Sequence, residues 1–582
     1  MIELIKKCVR NYKKSSILSP IFVSIECVFD VLIPYVMTLL LNEGIKGSDT
    51  NAVLLYGALL VAMSLVALLF GALSGIACSK ASNGFATNIR HDMFEKVQEY
   101  SFEDIDKFSA ASLITRMTTD VNMVQNSYMM IIRIAIRSPL MLVFGLVMTI
   151  TVGGPLASVF AVVMPILFFG LMFIFKKAMP VFRRLFKKYD RLNVVVEEDI
   201  RGMRVVKSNV REEKEIEKFN AASEDVYNDF TKAGKIVVLS NPLMQLCMYV
   251  VITLIGWFGA RMIISSGGTA LQDTQLSMMI TYSAQILMSL MMFSMIYVNL
   301  TMSKASIDRI LEVMHQQPSI KNPDSPVAEV KNGDIDFDNV SFSYSKKSGV
   351  NCLENINLHI KSGETIGIIG GTGSSKTTLV QLLPRLYDVT EGVLKVGDVN
   401  VKDYDLNALR KAVAMVLQKN VLFSGTIREN MKWGNPDATD EEIDEALKLS
   451  CADEFVYRLD GLDTHIEQGG ANVSGGQRQR LCIARALIGK PKILVLDDST
   501  SAVDMNTDLK IRRGFKKYIP ETTKLIIAQR IVSVMDADRI IVMDNGKISA
   551  IGTHEYLMQN SDIYREVYDS QQSGGDFDGG QS

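Results

Sequence analysis

The sequence predicts a two-part chain: a membrane α-helical domain with six spans, followed by an α/β domain built around a phosphate-binding loop. Three observations carry this. Hydrophobic residues make up 48% of 582, and the apolar excess lies almost wholly before residue 305. That region holds six stretches long enough to cross a ~30 Å hydrocarbon layer, which takes about 20 helical residues. Beyond it, the apolar run Ile366-Gly367-Ile368-Ile369 leads into a Gly/Ser-rich turn that ends in Lys376-Thr377-Thr378.

The spans are expected near 17–42, 52–78, 126–150, 156–176, 236–263 and 275–302. The first is not read as a signal peptide, because it lacks a small-residue cleavage site and more spans follow. Lys6, Lys7, Arg10, Lys13 and Lys14 precede it, and long charged segments (79–125 and 177–235) follow the second and fourth spans. The other connections are short and nearly neutral or acidic, so the positive-inside rule places both termini in the cytoplasm. Within the long segments, Phe85 to Val97 and Val194 to Val206 have amphipathic patterns with mixed charges, as expected for helices continuing into water.

Residues 1–313 thus form the transmembrane domain. A linker over 314–332 carries Pro318, Pro323 and Pro326 among polar residues, and the second domain spans 333–570. The Gly-rich tail, 571–582, is expected to be disordered. A net charge of −2 gives no reason to expect nucleic-acid binding. The seven cysteines show no paired spacing, so neither a disulfide framework nor a zinc site is implied.

The second domain's chemistry follows from residue types. The Ile366–Ile369 run reads as a buried parallel strand feeding Gly370-Gly371-Thr372-Gly373-Ser374-Ser375-Lys376-Thr377-Thr378 and then a helix. Glycines let backbone N–H groups turn toward phosphates, Lys376 reaches the outer phosphates, and the Thr377 hydroxyl can hold Mg²⁺. Ser375 stands where the usual pattern has a second glycine, which narrows the allowed backbone angles but keeps the amide donor. A second apolar strand, Ile493 to Leu496, ends in Asp497-Asp498, where a carboxylate can orient Mg²⁺.

Charges also occur within the spans. Glu26 and Asp30 lie one turn apart on the first, and Arg133 and Arg137 share that spacing on the third. Such charges are costly in a bilayer, so they are expected to face the interior or a wet cavity, either as ion pairs or as substrate contacts. The sixth span carries Met278, Met279, Met288, Met291, Met292 and Met295, side chains that adapt to varied apolar shapes or simply fill helix packing.

Together with Ser474-Gly475-Gly476-Gln477 upstream of Asp497, these residues resemble the ATP-binding-cassette (ABC) family, and the whole chain to about residue 570 is similar to a type IV exporter half-transporter. The resemblance implies an ATPase domain with antiparallel β and helical subdomains, using ATP and Mg²⁺. It makes Tyr344 an adenine platform, Gln418 the glutamine loop that also approaches Mg²⁺, Ser501 to Asp504 the loop after the second strand, and Ile527-Ala528-Gln529-Arg530 the switch loop. It also implies short transverse helices near Phe102–Leu113 and Val206–Glu217 that touch ATPase domains.

In that family two ATPase domains close head to tail, so each ATP lies between one chain's phosphate loop and the other's signature sequence. The position after the Mg²⁺-binding aspartate normally holds a glutamate. Asp498 is shorter by one C–C bond, about 1.5 Å, and a general base must come within hydrogen-bond reach. Gln529 stands where a histidine is usual and cannot change charge near neutral pH. The expectation is therefore an impaired composite site at Lys376, an intact signature lent to a second half-transporter, and closest similarity to bacterial heterodimeric multidrug exporters of the inner membrane. The expected cargo is a small amphipathic or hydrophobic compound. Lipid or peptide export, or an ATP-binding regulatory or channel role, are the alternatives.

Overall fold

A computed structural model describes residues 1–344, 350–499 and 502–575. Ser501 and the tail residues 576–582 lie outside that set. The chain divides into two compact units, Met1–Gln98 with Ser109–Gln316, and Glu99–Phe108 with Gln317–Ser582.

The first unit is entirely helical, as apolar spans must be when no water is present to satisfy backbone groups. Six apolar segments occupy five long helical runs. The first span is Lys13–Leu39, the fifth Ser240–Ser266 and the sixth Asp273–His315. The second and fourth belong to helices of 49 and 51 residues, Thr50–Gln98 and Ser158–Ser208. At 1.5 Å per residue each is roughly 75 Å long, more than twice a hydrocarbon core, so both carry long polar extensions. The third span is split: Val121–Ile132 and Ile134–Gly153 meet at Arg133, which has non-helical angles (φ −121°, ψ −63°).

Near the first expected transverse helix, Phe102–Phe108 is helical and a second short helix, Ala110–Thr115, follows a break at Ser109. The Phe102–Phe108 helix packs within the second unit. Its Asp106 carboxylate accepts from Tyr387 Oη at 2.9 Å, and its Phe102 ring lies 6.2 Å from that of Tyr387. The second expectation fails. Residues 206–217 hold no separate short helix: Ser158–Ser208 ends, Val210 takes a positive φ of 52°, and Glu212–Val238 begins. Glu212, Glu213 and Glu215 in the new first turn suit a helix start, so the chain begins a new helix directly after the turn.

The second unit stacks a six-stranded sheet on a four-stranded antiparallel one. The larger sheet has the order Lys547–Gly552, Arg539–Asp544, Thr365–Gly370, Thr523–Ile527, Ile493–Asp497, Val413–Val416. All its neighbours are parallel except the first pair. The Ile493–Asp497 and Thr523–Ile527 strands are buried at every position, the pattern that central parallel strands require. Ile527 pairs with both Ile368 and Asp497, so three strands end level, and the loops carrying Gly371, Asp498 and Gln529 leave from one edge. The smaller sheet joins Leu353–Ile360, Ile335–Phe342, Glu391–Val396 and Val399–Asn400. A helical portion includes Asp440–Leu449 and Gly475–Ile488, whose Ile443, Leu447, Leu481 and Ile483 share one core.

The linker residues from Gln317 belong to the second unit. Val327 N donates to Asp403 O at 2.8 Å, and its carbonyl accepts from Asp405 N. The last helix, Asp562–Gly575, runs five residues into the stretch expected to be disordered. Gln571 holds it there: its amide accepts from Ile531 N at 2.9 Å and donates to Gln529 O at 2.8 Å.

Candidate nucleotide site

The phosphate loop leaves the Thr365–Gly370 strand and ends where the Lys376–Gln381 helix begins. A Cβ on Gly370 would lie 2.6 Å from Ser374 Oγ, so that position admits only glycine without rearrangement. A Cβ on Gly371 or Gly373 would meet nothing within 4 Å, which leaves an open concave face lined by backbone. Gly371, Thr372 and Gly373 are exposed along it, and Ser374 Oγ donates to Gly371 O at 2.9 Å beneath. Gly373 and Ser375 both have positive φ, 84° and 68°. Ser375 therefore adopts the left-handed conformation that glycine would take freely, at a cost of roughly 1–2 kcal/mol for a residue with a Cβ.

Lys376 Nζ donates to the carbonyls of Gly370 and Gly371, each at 2.8 Å. Burial pushes its pKa down, and the Asp497 and Asp498 carboxylates oppose that shift. Thr377 Oγ1 lies 3.0 and 2.9 Å from the two Asp497 oxygens. Hydroxyl and carboxylate side by side, with the carboxylate 2% exposed, make a hard oxygen pair that fits a Mg²⁺ ion. Burial raises the Asp497 carboxyl pKa above the ordinary range, while donation from Thr377 pulls it back.

Asp498 follows in a left-handed conformation (φ 49°), its N–H bonded to Ile527 O at 3.0 Å. Gln529 Nε2 donates to Asp498 Oδ2 at 2.7 Å. Gln418, in the loop after Val413–Val416, also donates to this carboxylate. Burial is the largest influence on Asp498 and raises its pKa; the two amides partly offset it. Tyr344 is 45% exposed, edge-on to Phe342 (4.8 Å) and Tyr387 (5.1 Å), with its hydroxyl 3.1 Å from Thr378 Oγ1. Its position by the helix that follows the loop suits a base-stacking platform.

Comparison with known proteins then decides the family. Residues 16–312 match the ABC transporter transmembrane region, and residues 353–501 match the ABC transporter family. The uncharacterized ABC transporter ATP-binding protein YfiB of Bacillus subtilis is 34% identical over 547 residues, 94% of each chain. An uncharacterized ABC transporter ATP-binding protein of Mycobacterium tuberculosis is 33% identical over 578 residues, covering 98% of each. This chain belongs to the ABC transporter family. A solved structure described as a bacterial Atm1-family ABC exporter with ATP bound superposes with a TM-score of 0.82, covering 97% of this chain and 98% of that one. At 22% identity it establishes the exporter fold alone.

An ABC ATPase domain of this kind works on ATP with Mg²⁺, and the open loop and the Thr377–Asp497 pair fit both. The Ser474–Gln477 segment of this ABC transporter opens a helix of its own. Ser474 caps the Gly475–Ile488 helix in a reciprocal box: Ser474 Oγ accepts from Gln477 N at 3.3 Å, and Gln477 Oε1 accepts from Ser474 N at 2.9 Å. A Cβ on Gly476 would lie 2.7 Å from Ala502 O, so the glycine permits close approach of the loop after Asp498. Gln479 Oε1 accepts from Ala502 N at 3.0 Å and ties the two segments together.

In the first unit, Arg137 bonds both Glu26 and Asp30, the latter at 2.8 Å. Arg133 joins neither acid; its Nη2 donates to Gly71 O at 3.4 Å. Two residues beside the nucleotide site were not singled out from the sequence. Tyr387 links Tyr344 to the Phe102–Phe108 helix, and Gln571 holds the backbone at Gln529. Neither lies in a motif of fixed spacing, and only an aromatic after the phosphate-loop helix hinted at the first.

Proposed function

We propose that the chain is one half of a heterodimeric ATP-driven exporter, binding ATP at a weakly hydrolytic site of its own and lending Ser474–Gln477 to its partner's productive site. The reading rests on one observation above others. The carboxylate after the Mg²⁺-binding aspartate is a short Asp498, and the group bonded to it at 2.7 Å is the amide of Gln529. An amide orients a carboxylate but takes up no proton near neutral pH, and a shortened base lies back from the attacking water. The regular signature helix cap beside this supports a division of labour between two chains. The cargo is an amphipathic or hydrophobic compound moved out of the cytoplasm, both termini lie on the cytoplasmic side, and ATP-driven closure favours an outward-open state.

The purified chain alone should therefore turn over ATP slowly. Asp498→Glu combined with Gln529→His should raise its ATPase rate at least roughly 100-fold, the usual worth of a positioned general base. Adding Gly475→Trp to that variant should then remove about as much, because the signature donors cover developing phosphate charge. Brisk turnover by the unaltered chain would overturn the proposal. Uphill accumulation of cargo in vesicles separates a pump from an ATP-gated pore, which gives only downhill flux.

A further inference from the structure

The first unit holds a cavity of about 810 Å³ whose wall combines methionines with an unusual set of charges. Asp30, Arg133, Arg137 and Gln285 line it beside Met288 and Met292. The charges are divided in a specific way. Arg137 serves two carboxylates, Glu26 and Asp30, so that trio keeps one net negative charge. Glu26 sits behind the wall, 8% exposed, while Asp30 borders the cavity. The balancing positive charge is Arg133, whose guanidinium has only the long bond to Gly71 O among the described residues. With Glu26 behind it counted, the wall is therefore neutral as a whole but polarised.

Three further features show that the arrangement is built rather than incidental. The third-span helix breaks at Arg133, and irregular backbone at membrane depth is tolerated where it lines a cavity. Gly71 and Gly75, one turn apart on the second span, make room for the charges: a Cβ at Gly71 would lie 3.1 Å from the Glu26 carboxyl carbon, and one at Gly75 would lie 3.4 Å from Arg133 Nη1. Gln285 Oε1 is buried with no hydrogen-bond partner among the described residues, so the wall also holds an unused acceptor.

We propose that this cavity binds amphipathic molecules whose head group carries both a negative and a positive charge, the anionic part on Arg133 and the cationic part at Asp30, with the apolar chain against Met288 and Met292. A lone anion would gain from Arg133 but meet the surplus charge of the trio; a lone cation would meet the reverse. A zwitterionic head satisfies both and leaves no net charge in a low-dielectric space. This deepens the exporter reading by naming the class of compound that the membrane unit takes.

The test is a binding series on the full-length chain in an uncharged maltoside detergent, without nucleotide. Three probes share one dodecyl chain and are used below their aggregation concentrations: dodecylphosphocholine, dodecyl phosphate and dodecyltrimethylammonium. The zwitterion should bind roughly tenfold more tightly than either singly charged probe, the scale of one charge-assisted contact. Arg133→Gln should abolish that preference and raise the cation's affinity, because the trio's surplus negative charge is then unopposed, and Arg133→Lys should restore most of the original order. Equal affinities for the three probes, tightest binding of a singly charged probe, or a zwitterion indifferent to Arg133→Gln would each overturn the proposal. The series on the unaltered chain decides the matter even if a variant cannot be purified. Because no ATP is involved, a flat series alongside ATP-driven accumulation in vesicles would sink this proposal alone, whereas a clear preference without accumulation would sink the exporter reading.

Discussion

Two buried charge clusters, one in each unit, are held in opposite ways. In the ATPase unit, Asp497 and Asp498 are bonded by neutral donors, the Thr377 hydroxyl and the amides of Gln418 and Gln529. In the membrane unit, Glu26 and Asp30 are bonded by a guanidinium. A carboxylate that must meet Mg²⁺ and phosphate chemistry needs partners that yield without leaving a charge behind, and hydroxyls and amides do so. A carboxylate locking two helices inside a bilayer needs a permanent opposite charge, since neutral donors do not offset its desolvation. The type of partner thus separates the two clusters, and Arg133 stands outside the ion-paired trio, bonded at 3.4 Å to the neutral Gly71 carbonyl.

The comparison breaks most visibly at Arg137. Arg137→Gln would strand the buried Glu26 and the half-buried Asp30, and the expected loss of stability is on the order of 3 kcal/mol, at the low end for a broken buried pair because Asp30 and Arg137 border the cavity. Thermal unfolding in detergent should show the drop, and Arg133→Gln, measured the same way, should show little. Equal losses would mean that Arg133 is also structural.

A smaller effect tests the ATPase cluster. The Asp498 carboxyl pKa is raised in the folded chain by burial. The folded state therefore favours its protonated form, and holding it ionised costs stability above that raised pKa. The cost disappears as pH falls below the ordinary carboxylate range, about 4, where the group is protonated whether the chain is folded or not. Asp498→Asn should accordingly raise the unfolding temperature at pH 7 to 8, with the gain shrinking as pH falls toward 4. A gain that is constant with pH would point to packing rather than charge.

The smallest effect belongs to the loop itself. Ser375→Gly relieves a left-handed backbone but adds flexibility to the unfolded chain, so a net gain of about 0.5–1 kcal/mol is expected. Unchanged stability would mean that the loop already compensates for the serine.

Much of the nucleotide site was legible because its residues are fixed by covalent spacing. A strand, a glycine turn and Lys376-Thr377 must form one loop, and a carboxylate at the tip of a neighbouring parallel strand must lie beside it. The partners of that site were less legible. Gln571 reaches Gln529 from a helix 42 residues later, and nothing in the order of residues marks it. A turn at 209–211 stands where a transverse helix was expected: the acidic first turn at Glu212 marks a helix start, but a positive φ at Val210 is not what a β-branched residue type suggests.

The sequence by itself determined the class of each unit, the phosphate-loop pattern, and the presence of Asp498 and Gln529 after two of its apolar strands, because periodicity and short-range spacing survive without tertiary context. It also put Glu26 and Asp30 on one helical face and Arg133 and Arg137 on another, since residues four apart share a face. Only the tertiary structure decided which arginine met the acids. Spacing along a helix fixes a direction, whereas pairing depends on helix rotation, on the break at Arg133 and on the room that Gly71 and Gly75 leave opposite.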